Sequence, residues 1–187
     1  PYTTLFRSGY AYRAVNSTNK STITVEPAKV GVRIPTASLA VTKKIESRFE
    51  EDKAQAFTFR LEKEDGANTG KWVSAGGQPY QLTPGTGETA SDGKTAENGE
   101  FTLTHGQTAK FTVLAGRNYR ITERDGDGYY VSVREFGGGA GEDTLFDPEN
   151  PPSAVLKNAS DGKSYSCTFT NIRSSFFLPE TGGAGTD

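Results

Sequence analysis

A chain of 187 residues with a formal net charge of −2, and with 21 basic and 23 acidic residues in no basic cluster, fits one ordinary domain with flanking pieces and argues against a nucleic-acid binder. Its single Cys excludes an internal disulfide and a cysteine-rich zinc site, and no apolar run is long enough to span a membrane as a helix. With 33% hydrophobic residues, and 11 Phe and 8 Tyr set among 22 Gly and 9 Pro, the composition is that of an all-β chain.

The chain opens on Pro1 and contains no Met, as expected of an internal or C-terminal fragment. Residues 1–8 read as a translated sequencing adapter and are set apart from the fold. In residues 9–37 the short strand-like pieces Tyr10-Ala11-Tyr12 and Ser21-Thr22-Ile23-Thr24-Val25 are too few to close a core. They read as the end of a preceding β domain followed by a linker. Residues 38–173 carry short runs in which apolar and polar positions alternate: Leu39/Val41/Ile45, Phe57/Phe59/Leu61, Phe101/Leu103, Phe111/Val113, Tyr119/Ile121, Tyr129/Val131/Val133 and Tyr165/Cys167/Phe169. Turn signals separate them, among them Asp65-Gly66, Asn98-Gly99, His105-Gly106, Ala115-Gly116 and Asp161-Gly162. This pattern predicts an immunoglobulin-like antiparallel β-sandwich. Glu50-Glu51-Asp52-Lys53 is expected to be a charged loop, as are the Gly/Thr/Ser/Pro-rich residues 75–98 and Gly137–Gly141. Residues 174–187 are expected to form a flexible tail.

Three residues break the alternation. The inward set runs Leu39, Val41, Lys43, Ile45 on the first strand, Tyr119, Ile121, Glu123 after Gly116, and Tyr165, Cys167, Phe169, Asn171 on the last. Because side chains alternate strictly between faces, an amine, a carboxyl and an amide all land on the core side. Burial drives the first two towards their neutral forms. A neutral amine is a nucleophile, and a protonated carboxyl can donate to an amide. Side by side in a rigid core they have what an acyl transfer needs: Lys43 attacks the Asn171 amide carbon, ammonia leaves, and Glu123 shuttles protons. Lys44 is the rival donor, since a β-bulge would exchange the two lysines. The alternative is an ordinary buried Lys43–Glu123 ion pair with Asn171 hydrogen-bonded beside it.

Leu39-Ala40-Val41-Thr42-Lys43-Lys44-Ile45, Phe57-Thr58-Phe59, Tyr119-Arg120-Ile121-Thr122-Glu123 and Phe169-Thr170-Asn171 resemble the signatures of CnaB-type and related pilin domains. These are immunoglobulin-like modules of Gram-positive adhesins and pili that often carry a self-made isopeptide bond. The resemblance implies Lys43 as donor, Asn171 as acceptor and Glu123, in the Tyr-x-x-x-Glu motif, as the catalytic acid. It covers residues 39–172.

Leu178-Pro179-Glu180-Thr181-Gly182 resembles the LPXTG sorting signal of Gram-positive surface proteins without a departure. Pro179 biases Leu178 towards an extended conformation that suits an enzyme groove, and Gly182 leaves the Thr181 carbonyl open to a nucleophile. The resemblance implies cleavage of the Thr181–Gly182 bond by sortase, covalent attachment of Thr181 to a peptidoglycan precursor, and a place on the cell surface. That family follows the motif with an apolar segment and basic residues, whereas this chain stops at Asp187, as expected of a truncated sequence.

Other motifs carry less. Gly66-Ala67-Asn68-Thr69-Gly70-Lys71-Trp72 has the wrong spacing for a phosphate loop, Asp125-Gly126-Asp127-Gly128 lacks the remaining ligands of a calcium loop, and Gly137–Gly141 fits no dinucleotide fingerprint. The lone His105 has no triad partners at a recognisable spacing, and Cys167 reads as a small core residue. Asn16, Asn19 and Asn158 fit the glycosylation sequon, which means little in a bacterial protein. No metal or cofactor is expected. The reading is a structural stalk module of an adhesin or minor pilin. The alternatives are the spacer of a wall-tethered enzyme, or a domain that binds a host ligand through its long loops.

Overall fold

The computed structural model describes residues 10–16, 23–29, 33–85, 89–139 and 141–173; residues 1–8 and the sorting motif at 178–182 lie outside them. The chain divides into two compact units, Pro1–Ile34 and Pro35–Asp187. The first holds an antiparallel ribbon of β1 (Tyr10–Asn16) and β2 (Ile23–Lys29), in register from Tyr10 opposite Lys29 to Asn16 opposite Ile23.

The second unit is a β-sandwich. One sheet is built on β4 (Phe57–Glu64), which pairs on one side with β10 (Tyr119–Glu123) and on the other with β5 (Trp72–Ser74) and β8 (Glu100–Leu103); β13 (Ser153–Leu156) lies outside β10. The other sheet has seven strands. β3 (Thr36–Glu46) lies between β9 (Thr108–Leu114) and β14 (Ser164–Ile172). β6 (Pro79–Thr83) and β7 (Ser91–Lys94) extend the sheet beyond β9, while β11 (Tyr130–Arg134) and β12 (Thr144–Leu145) extend it beyond β14. The alternating sequence runs are the inner faces of these strands. Leu39, Val41, Phe57, Phe59, Leu61, Leu103, Phe111, Ile121 and Phe169 have no exposed surface, and such burial contributes about 1.5–3 kcal/mol for each large apolar side chain. The rings of Phe59 and Phe169 meet edge to face at 5.3 Å across the two sheets, and those of Phe101 and Phe111 at 5.1 Å.

The structure departs from the sequence reading in three places. The first and last strands of the sandwich pair parallel, from Ser38 opposite Ser164 to Glu46 opposite Ile172, within an otherwise antiparallel sandwich. No hairpin constrains strands joined by so long a connection. Residues 50–53 form most of a short helix, α1 (Glu50–Ala54), with its acidic residues in the first turn and Lys53 in the last, where each complements the helix dipole. Asp52 turns inward: burial opposes its charge, but hydrogen bonds from Ser47 and Tyr129 and the Arg173 guanidinium at 2.7 Å hold its carboxyl below the usual range. Residues 75–98 contain the β6–β7 hairpin rather than loop alone. Tyr80 and Leu82 pack against the core, and Gly93 lies so close to the Tyr80 ring that a Cβ there would stand 2.3 Å from Cζ.

Candidate functional site

Strand parity carries Lys43, Glu123 and Asn171 inward. Burial along β3 alternates through Leu39, Val41, Lys43 and Ile45, β10 ends on buried Glu123, and β14 ends with Phe169 and Asn171 buried. All three polar side chains have no exposed surface, whereas Lys44 is exposed. The β3–β14 register is unbroken, with Lys43 opposite Phe169 and Ile45 opposite Asn171, so no bulge exchanges the lysines. Asn171 is thus the diagonal neighbour of Lys43 on the same face, within reach of a long side chain. Glu123 comes from the facing sheet.

Glu123 joins the group. Its Oε1 accepts from Lys43 Nζ at 2.8 Å and from Asn171 Nδ2 at 2.7 Å. Two rings of β4 line the amine, with the Phe57 centroid 4.0 Å and the Phe59 centroid 5.7 Å from Nζ. Glu123 Oε2 and Asn171 Oδ1 are buried without a hydrogen-bond partner. An ionised carboxylate and an amide oxygen are both acceptors, so these two atoms cannot satisfy each other unless the carboxyl carries a proton.

The electrostatics favour that proton. Burial among apolar side chains brings Lys43 down to about 8, against the attraction of Glu123, and it pushes Glu123 up, against the attraction of Lys43 and the Asn171 hydrogen bond. An ammonium–carboxylate pair and an amine–carboxylic acid pair hold the same number of protons. A dry interior penalises the first and leaves the second neutral. In the neutral form the Lys43 lone pair is free to attack, and the Glu123 hydroxyl can donate to the amide oxygen.

The backbone at Lys43 is held by a turn whose role the sequence did not disclose. In the turn at residues 104–107, Gly106 N–H donates to the Lys43 carbonyl at 2.8 Å, and Lys43 N–H donates to the Gln107 carbonyl at 3.0 Å. Ile45 N–H donates to His105 Nδ1 at 2.9 Å, so the lone histidine organises backbone. Gly106 adopts φ +78°, a conformation L side chains rarely take. Cys167 is buried, and burial pushes its thiol up. Among the described residues no group of three or more His, Cys, Asp and Glu could hold a metal ion.

Residues 37–173 match the family described as Domain of unknown function (DUF7601). The chain belongs to the DUF7601 family. No curated protein matches it. Among solved structures, the DUF7601 chain is similar to the major pilin from Streptococcus pyogenes. It is 19% identical to an asparagine-to-alanine mutant of that pilin, covering 92% of this chain and 67% of that one at a TM-score of 0.53. A structure of the major pilin without a stated mutation is 18% identical, with 90% and 66% covered at 0.50. A pilus-presented adhesin is 15% identical over 79% of this chain but only 30% of its own length, at 0.49. The chain thus spans about two thirds of the pilins and under a third of the adhesin. At these identities the pilins share its β-sandwich fold.

Proposed function

We propose that this DUF7601 domain is a structural module of a Gram-positive pilus or adhesin protein on the cell surface, and that it joins its own first and last strands through an isopeptide bond between Lys43 and Asn171. The observation that supports this most is the buried, hydrogen-bonded convergence of an amine, a carboxyl and a carboxamide from three different strands. An interior that only needed to be stable would do better with apolar residues, since a buried ion pair rarely repays its desolvation.

The chemistry is intramolecular. Neutral Lys43 Nζ attacks Asn171 Cγ while Glu123 donates its proton to the amide oxygen. Glu123 then takes the amine proton and passes it to Nδ2. As ammonia leaves, the hydroxyl of the tetrahedral centre returns its proton to Glu123, so the carbonyl re-forms and the carboxyl ends protonated as it began. An amine and a primary amide become a secondary amide and ammonia. Held contacts in place of a bimolecular encounter lower the barrier. No outside substrate is turned over. Sortase acts on the chain at Leu178, Pro179, Glu180, Thr181 and Gly182 and links Thr181 to a peptidoglycan precursor. Tension then enters at Thr36 and leaves beyond Arg173, and the bond bridges the two strands that carry it.

Intact-mass spectrometry tests the reading. The purified wild-type chain is expected to weigh one ammonia less than its sequence, and Glu123→Ala its full mass. A wild-type chain at full mass would contradict the proposal.

A further inference from the structure

The Asp125-Gly126-Asp127-Gly128 turn has a place beside this site. Asp125 Oδ1 accepts from the Thr58 N–H at 2.6 Å, and Arg124 N–H donates to the Thr58 carbonyl at 2.8 Å. Residues 124 and 125 therefore clasp both backbone groups of the residue between Phe57 and Phe59, whose rings line the Lys43 amine. The turn is anchored in its own right. Tyr129 N–H donates to the Gly126 carbonyl at 3.0 Å, and a Cβ on buried Gly126 would stand 2.6 Å from the Phe146 ring.

Resting on the crosslink reading above, we infer that Asp125 is a positioning residue for bond formation: it fixes the aromatic wall against the amine through Thr58, and its negative charge adjusts the pH range in which the buried pair reacts. Val41 and Ile45 on β3, Phe57 and Phe59 on β4, Ile121 on β10, and Phe169 and Asn171 on β14 share the interior with Lys43 and Glu123 and are uncharged. Beyond Phe57 stand the titratable Tyr129, edge to face with it at 5.6 Å, and the mutually neutralising Asp52–Arg173 pair. Burial and their mutual attraction dominate both groups; Asp125 is a further charge that acts on both, raising each by a smaller amount.

The direction of its effect follows from counting protons. The reactive form of the pair holds one proton, on Glu123, with Lys43 neutral. Acid adds a second proton and base removes the first, so the rate is bell-shaped in pH. A nearby negative charge favours protonation at both steps and moves both limbs of the bell upward. Asp125 is exposed, so salt screens its charge.

The full chain, recovered unfolded and unreacted at its full sequence mass from inclusion bodies, is diluted from urea into buffers of different pH and followed for ammonia loss by mass and for folding by Trp72 fluorescence. Asp125→Asn keeps an acceptor for Thr58 and removes the charge. Both limbs are expected to shift down by on the order of half a pH unit, and the shift to shrink at high salt. Asp125→Ala also loses the acceptor, and its maximal rate after folding is expected to fall about fivefold. Asp127→Asn removes the same charge from the same turn without the Thr58 contact and is expected to leave the profile in place. Limbs that do not move in Asp125→Asn, or that move equally in Asp127→Asn, overturn the role of Asp125 while the crosslink stands. A wild-type chain that folds and never loses ammonia overturns both.

Discussion

Replacing Lys43 and Glu123 together by apolar residues, as Lys43→Met/Glu123→Leu, is expected to destabilise the DUF7601 sandwich by about 5 kcal/mol. The sign of this result separates the two readings of the site. A buried ion pair that is no more than an ion pair can be exchanged for apolar side chains of similar size with little loss, and often with a gain of about 1–4 kcal/mol. A covalent link is different, because it restricts the unfolded chain. Closing a loop of the 127 residues between Lys43 and Asn171 stabilises by about 5 kcal/mol on the chain-entropy account of crosslinks, a large share of an ordinary domain's stability of about 5–15 kcal/mol. Urea unfolding of the wild type and the double variant measures the difference. A double variant as stable as the wild type would contradict the crosslink. Lys43→Ala alone is less informative, because stranding Glu123 in the interior already costs about 3–5 kcal/mol with no crosslink at all.

Under load the expected difference is larger still. Pulled between Pro35 and Arg173, the wild-type unit is expected to yield only the residues before Lys43 and after Asn171. The 127 residues in between stay out of the force path, because tension crosses from β3 to β14 through the bond. In Glu123→Ala the same pull is expected to release them, adding about 430 Å at roughly 3.4 Å per residue. The parallel pairing of β3 and β14 sets the geometry of that load. The chain enters along one strand and leaves along its neighbour in the same direction, so pulling the ends shears that ladder. A force trace in which wild type and Glu123→Ala lengthen equally would remove the mechanical role.

Much of this was legible in the sequence, and the reason is geometric. A strand's two-residue period assigns each side chain to a face, so the inward direction of Lys43, Glu123 and Asn171 could be read from neighbours such as Val41, Ile121 and Phe169. Burial along the three strands follows that reading. Where the period had no apolar residues to mark it, the reading failed. Ser91–Lys94 has none; it is a strand through its antiparallel pairing with β6, in which Gly93 lies opposite Tyr80. Tyr80 and Leu82 do alternate, but within a segment whose Gly, Thr, Ser and Pro content is that of a loop. Strand order was a different loss. Local patterns say which face a residue takes but not which strand lies alongside, so the parallel β3–β14 pair could not be read. The hold of the His105 turn on Lys43, and of Asp125 on Thr58, depends on contacts distant in sequence, for which spacing carries no sign.

The most direct measurement is a tryptic digest of the folded chain followed by tandem mass spectrometry. The expected product is a branched peptide in which residues 34–44 are joined to residues 164–173, one ammonia lighter than the two together, with cleavage blocked after Lys43 and fragment ions placing the link between Lys43 and Asn171. Separate peptides at full mass, with trypsin cutting freely after Lys43, would contradict the account.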